Sequence, residues 1–248
     1  MDNRLSLDKF YKFAYNMNIC LKRVFYCFQG GNRMRKSFEQ QIEDLNEDLL
    51  KLGSMVEERI HKAITALKEQ NDKLAHEVVD NDDDIDDYQM EIEQECINLT
   101  ALQQPVAKDL RRINMVSKMA TDLERIADLA QNIAEIALDL STDDFVKPLV
   151  DVPRMGEIVQ EMVHDSLDAF VNSNAEKAKE VAQRDNQINN LDEQILHELI
   201  TTMMENTEAI EQSNSLIFVS RYLERIGDHV TNICEDIVYI ITAERVSY

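Results

Sequence analysis

What the chain lacks narrows its architecture first. It has no tryptophan, and only three prolines and five glycines in 248 residues. So few turn-formers exclude a fold of many short strands joined by tight turns. No apolar run approaches the roughly 20 residues that cross a bilayer. No membrane helix is expected, and any membrane contact would be peripheral. Positive charge is also scarce, with 26 Lys and Arg against 48 Asp and Glu and a net charge of -22. Such a surface repels nucleic-acid phosphates and anionic lipid. Nucleic acid is therefore not an expected partner. A bare phosphate site is excluded unless a bound cation reverses the local field. The four cysteines, Cys20, Cys27, Cys96 and Cys234, show no paired-metal spacing. Cys96 and Cys234 fall at apolar helical positions and read as buried thiols in a reducing cytoplasm. Nucleophile elbow, glycine-rich phosphate loop and basic nucleic-acid module are all missing, so nothing argues for an enzyme.

Hydrophobic residues make up 44% and charged residues 30% of the chain, the profile of long solvated helices around an apolar seam. Residues 1–33 do not share it. They hold 7 of the 15 Phe and Tyr residues, and six Lys or Arg against two Asp. One reading is a basic, aromatic anchor lying on a membrane surface. The preferred reading rests on QGGNRM, residues 29–34. Its codons can contain a strong bacterial ribosome-binding sequence just ahead of Met34. Residues 1–33 are then an extension outside the repeated part, and translation starts at Met34.

The remainder is an internal repeat. LGSMVEERIHKAITAL (52–67) aligns without gaps to MGEIVQEMVHDSLDAF (155–170), an offset of 103. The offset holds through Asn71 and Asn174, Val78 and Val181, Asp82 and Asp185, and Ile92 and Ile195. By LERIADLAQNIAEIA at Leu123 and LERIGDHVTNICEDI at Leu223 it is 100, so three residues are deleted between. The copies span 34–141 and 152–248, joined by a linker at 142–151.

Apolar residues at spacings of three and four divide each copy into three amphipathic helices. In the first copy helix one covers about 37–69, with the seam Leu45, Leu49, Leu52, Val56, Ile60, Ala63 and Leu67. Helix two starts near Asn71, a good N-cap. Helix three follows Pro105, which suits a first helical turn. Short connections make neighbours antiparallel. The expected fold is all-α: two repeated three-helix bundles, six long antiparallel helices with pseudo-two-fold symmetry. Gly inside a helix costs about 1 kcal/mol against Ala, so Gly227 predicts close approach of a neighbouring helix.

Glu124, Asp128 and Asn132, each four apart, form one row beside the apolar seam of the third helix. Glu224, Asp228 and Asn232 repeat it. Asp82 and Asp86 flank the seam of the second helix, and their copies are Asp185 and Asn189. Antiparallel packing would bring each pair of rows face to face. Clustered carboxylates raise one another's pKa, and a hard cation removes that cost. Oxygen-only ligands suit Mg, Ca, Mn or Fe. The competing reading is a plain solvated acidic face, with Arg125 and Arg225 pairing locally. The run DNDDDIDD (80–87) lacks the central Gly and terminal Glu of a calcium loop. Glu58 with His61, and Glu161 with His164, give Glu-x-x-His twice, a pattern of di-metal carboxylate bundles. That leaves a di-metal enzyme as one alternative and a metal-free helical scaffold as another. His76, His197 and His229 have no repeat partner and receive no role.

The opening MRKSFEQQIEDL at Met34, the segment QQPVAKDLRRI (103–113) and the twin LERIAD and LERIGD motifs resemble the PhoU family of phosphate-signalling proteins. The resemblance covers nearly everything from Met34 on. It implies two similar three-helix bundles and a cytoplasmic negative regulator of phosphate uptake and of the phosphate-starvation response. Its implied partners are a Pst-type phosphate transporter ATPase and a two-component sensor histidine kinase, and a homodimer is compatible with it. It also implies multinuclear metal clusters on paired Glu/Asp-x-x-x-Asp motifs. One pair maps to Asp82 and Asp86 with Glu124 and Asp128. The other maps to Asp185 and Asn189 with Glu224 and Asp228. Asn189 departs from the acid pattern, so the second site is expected to bind metal more weakly. Asn132 and Asn232 would add neutral oxygen ligands.

Overall fold

A computed structural model describes residues 37–80, 83–141, 145–146 and 148–248. The 1–33 extension and the proposed start at Met34 lie outside the described residues, and so does Asp82. Among the described residues eight α-helices follow in order: α1 Phe38–Glu69, α2 Asp72–Asp80, α3 Asp83–Gln103, α4 Ala107–Asp139, α5 Asp151–Val171, α6 Ala175–Gln183, α7 Asp185–Glu205 and α8 Ile210–Thr242. A short 3-10 turn, Thr207–Ala209, precedes the last. Among the described residues there is no strand.

The two copies share their turn chemistry. Asn71 Oδ1 accepts from Leu74 N–H at 3.1 Å, and Asn174 Oδ1 accepts from Lys177 N–H at 3.0 Å. Asn71 is the expected cap and its repeat partner Asn174 acts alike, each holding an otherwise orphaned donor of the first turn. Just before them, Gln70 and Ser173 sit at φ 50° and 48°. The next residue's N–H then reaches back to Ala66 O and Ala169 O, each at 2.9 Å. This is a Schellman closure built without glycine. Pro105 behaves differently from expectation. α4 begins at Ala107 behind the N-cap Val106, and Gln104 is at φ 49°. The chain is still reversing at the proline, which therefore lies in the turn. Pro153 instead falls in the first turn of α5, where its missing N–H loses nothing.

The middle helix of the second copy is divided, which the periodicity did not foretell. The division is a single residue. Arg184 N–H bonds Val181 O at 2.9 Å and Gln187 N–H bonds Arg184 O at 2.8 Å. These are three-residue closures, a local tightening of the helix. Val181 and Ile188 on either side remain fully buried, so the apolar seam runs through the break.

α4 and α8 form the centre. α2 and α3 pack on α4, while α5, α6 and α7 pack on α8. The two central helices pack on each other antiparallel. Lys118 meets Asp236 at 3.0 Å and Asp122 meets His229 at 2.9 Å, ascending one helix and descending the other. Leu123, Ile126, Ile133, Leu223, Ile226 and Ile233 are all completely buried. Each such side chain contributes about 1.5–3 kcal/mol by leaving water. Small residues let α1 and α5 approach closely at reciprocal positions. A Cβ on Gly53 would strike Leu167, and one on Gly156 would lie 2.7 Å from Ile64 Cγ1. Both residues in each contact are related by the repeat offset, so this crossing carries the pseudo-two-fold relation of the copies.

Candidate metal centre

The α3–α4 pairing brings the two acidic rows of the first copy together. Asp86 on α3 and Glu124 and Asp128 on α4 each offer a carboxylate oxygen, all within 4.8 Å of one another. Among the described residues no other group of three His, Cys, Asp or Glu side chains converges this way. Asp86 and Glu124 are half-buried and Asp128 is exposed, so the trio opens to solvent on one side. Asn132 donates its amide nitrogen to Asp128 O at 2.9 Å. That commits the nitrogen, so the amide oxygen is the atom a cation could take.

The second copy builds a looser variant. The break at Arg184 starts α7 at Asp185, whose carboxylate points at α8. A Cβ on Gly227 would lie 2.7 Å from Asp185 Oδ1 and 3.5 Å from Ile188 Cγ2. The close approach expected at this glycine is therefore present. Asp185 Oδ1 is buried and has no hydrogen-bond partner. Asn189 donates to Asp185 Oδ2 at 2.8 Å. Burial, then the neighbouring charge of Asp228, push the Asp185 carboxyl above its ordinary range. Burial followed by Asp228 does the same to Glu224, against the opposing pull of Arg221. Asp185, Glu224 and Asp228 thus share one electrostatic neighbourhood, with Asn189 hydrogen-bonded to its edge. Asn232 lies one turn beyond Asp228 on α8.

Sequence reasoning missed Asp192. It lies seven residues past Asp185 on α7, almost fully buried. Ser220 Oγ donates to it at 2.7 Å and Arg221 Nη1 donates at 2.8 Å. Its counterpart in the first copy is Gln89, so a search for acids shared by both copies passed over it. The i, i+4, i+7 spacing along the row was the available signal. His229 and Asp122, and Lys118 and Asp236, were missed because these pairs join different copies and leave no trace in the repeat.

The rival Glu-x-x-His pattern is not assembled. Glu58 pairs with Lys62 at 2.8 Å on its own helix. His164 Nδ1 lies 3.4 Å from Glu57 and is 70% exposed. The described residues bring no third ligand to either histidine. Cys96 and Cys234 are buried free thiols, and burial pushes both up to about 12. They are poor nucleophiles and poor metal ligands there. No helix among the described residues is long and apolar enough to cross a membrane.

The donor set fits a hard cation. Every converging atom of the first-copy trio is an oxygen, and in the second copy Asp185 Oδ1 is a buried oxygen with no hydrogen-bond partner. The fold and site define an all-helical protein of two three-helix repeats, with carboxylate rows flanking the seams of the second and third helices. The PhoU domain family matches residues 49–137 and again 152–237. The chain belongs to the PhoU family. It is 42% identical over 213 residues to a phosphate-specific transport system accessory protein PhoU homolog of Clostridium acetobutylicum, covering 86% of this chain and 97% of that one. It is 33% identical over 207 residues to the PhoU accessory protein of Escherichia coli, covering 84% and 86%. Among solved structures it is similar to PhoU from Pseudomonas aeruginosa, with TM-score 0.81, 38% identity, and 84% of this chain and 100% of that one covered. The phosphate transport system regulatory protein PhoU of Streptococcus pneumoniae gives TM-score 0.80 at 32% identity, covering 86% and 100%.

Proposed function

We propose that this protein is a cytoplasmic, non-enzymatic negative regulator of phosphate uptake and of the phosphate-starvation response. It acts as an adaptor between a Pst-type transporter ATPase and a two-component sensor histidine kinase. The observation that carries the reading is its match, at 42% identity, along 97% of a phosphate-transport accessory protein. Its strongly acidic surface suits docking to basic patches on such partners, an attraction that salt weakens.

Asp86, Glu124 and Asp128, with Asp82 as fourth ligand, are the proposed holders of a first hard cation such as Fe, Mn, Mg or Ca. Asp185, Asn189, Glu224 and Asp228 are proposed for a second site. A bound cation supplies positive charge able to attract phosphate oxygens to an otherwise anionic surface. The chain's own contribution is to fix those oxygens on rigid, packed helices.

Deleting the gene in its host tests the reading. A reporter on a phosphate-starvation promoter should be active in phosphate-rich medium, phosphate uptake should rise, and the wild-type gene should restore both. A silent reporter with unchanged uptake in the deletion strain would contradict it.

A further inference from the structure

The two carboxylate rows differ by more than Asn189. Relative to the first copy, the second has lost an acid at the position of Asp86 and gained one, Asp192, at the position of Gln89. It has also gained a cation, because Arg221 stands where the first copy has Thr121. The three changes form one constellation. Asp192, 5% exposed, receives Ser220 Oγ at 2.7 Å and Arg221 Nη1 at 2.8 Å. The same Arg221 nitrogen lies 3.9 Å from Glu224 Oε1, one of the proposed ligands. Hydrogen bonding to Asp192, then the charges of Asp192, Glu224 and Asp228, all stabilise the guanidinium. Ser220 repeats the logic, since the first copy has Ala120 there and offers no hydroxyl.

We infer that Arg221 is a built-in counter-cation that competes with metal at the second site. This inference rests on the metal-binding reading of both sites. A guanidinium held by a buried carboxylate stays beside Glu224 at all times and needs no exogenous ion. It offsets part of the repulsion that a metal would otherwise relieve, and it repels an incoming cation. At the matching position the first copy has the neutral Thr121, whose hydroxyl turns to Ser117 O at 3.1 Å and Glu93 at 3.4 Å. The copies have thereby diverged in the charge that stands beside their rows.

The test uses the full chain, stripped of metal and titrated with Mn²⁺ by calorimetry. A parent carrying Glu124→Ala and Asp128→Ala leaves only the second site to read. Adding Arg221→Ala to that parent should tighten Mn²⁺ binding at least about tenfold, as removal of one close like charge implies. Arg221→Lys, which keeps the charge, should leave binding as weak as in the parent. If loss of Arg221 unsettles buried Asp192, the variant pairing Arg221→Ala with Asp192→Asn removes both charges and should still bind more tightly than the parent. Equal Mn²⁺ affinity with and without Arg221, in protein of unchanged helicity, would overturn the inference. If the wild-type chain binds Mn²⁺ through its first site while Arg221→Ala changes nothing, only the competition fails. If no variant and no wild-type protein binds Mn²⁺, the metal-binding reading fails with it.

Discussion

At Gly227 the missing Cβ makes room for the Asp185 carboxylate, whose Oδ1 would lie 2.7 Å from such an atom. One absent methyl group thus sets how closely the acidic start of α7 approaches α8. A buried acid of another kind sits between the copies. Asp236 is 2% exposed at the α4–α8 contact and pairs with Lys118, itself about half exposed. Burial raises the Asp236 carboxyl above its usual 3.8, outweighing the Lys118 ammonium, and Asp122 adds to the rise. The folded state therefore holds this proton more tightly than the unfolded chain does. The resulting stabilisation is fully present below the ordinary value and is lost as pH rises through the raised one. Asp236→Asn should remove that part of the pH dependence. Urea unfolding followed from pH 4 to pH 8 checks it: wild-type stability should fall with pH relative to the variant. Parallel curves would show that Asp236 ionises normally in the fold.

The α1–α5 crossing depends on two glycines that meet different neighbours. Gly156 faces Ile64, a β-branched side chain with little freedom to turn aside, and Gly53 faces the more flexible end of Leu167. Gly156→Ala should destabilise by about 1–2 kcal/mol, the strain of overpacking less the gain in helix propensity. Gly53→Ala should cost less, and Ile64→Val should relieve part of the Gly156→Ala loss. Denaturant midpoints of the three variants check this order. These elements were largely legible in the sequence, because three- and four-residue spacings mark each buried seam and the repeat supplied every helix twice. Asn71 announced its cap by residue type. The split in the middle helix of the second copy was not legible, since a one-residue tightening at Arg184 leaves the apolar seam in phase. α4 follows Pro105 as expected, but the proline lies in the turn ahead of the helix and not in its first turn. At the site, the row of Glu124 and Asp128 was legible as an i, i+4 pattern. Asp192 and Arg221 were not, because they belong to one copy only and pair across helices.

Across the whole molecule, duplication sets the design. α4 and α8 hold the copies together, and each copy faces its own carboxylate row outward on a chain of net charge -22. Such a chain has no direct attraction for phosphate, so cations at these rows would be its link to that anion. The contact between copies, with its buried Asp122 and Asp236, was invisible to any comparison of one copy with the other. The rows themselves decide whether the protein is a metal-bearing regulator or a bare helical scaffold. The most direct measurement is elemental analysis of the protein purified without chelators, wild type beside the Glu124→Ala, Asp128→Ala double variant. The wild type should carry Fe, Mn, Mg or Ca, and the variant should lose the metal of the first copy while keeping its helical circular dichroism. Metal content unchanged by the two substitutions, or absent from the wild type, would contradict the carboxylate-row site.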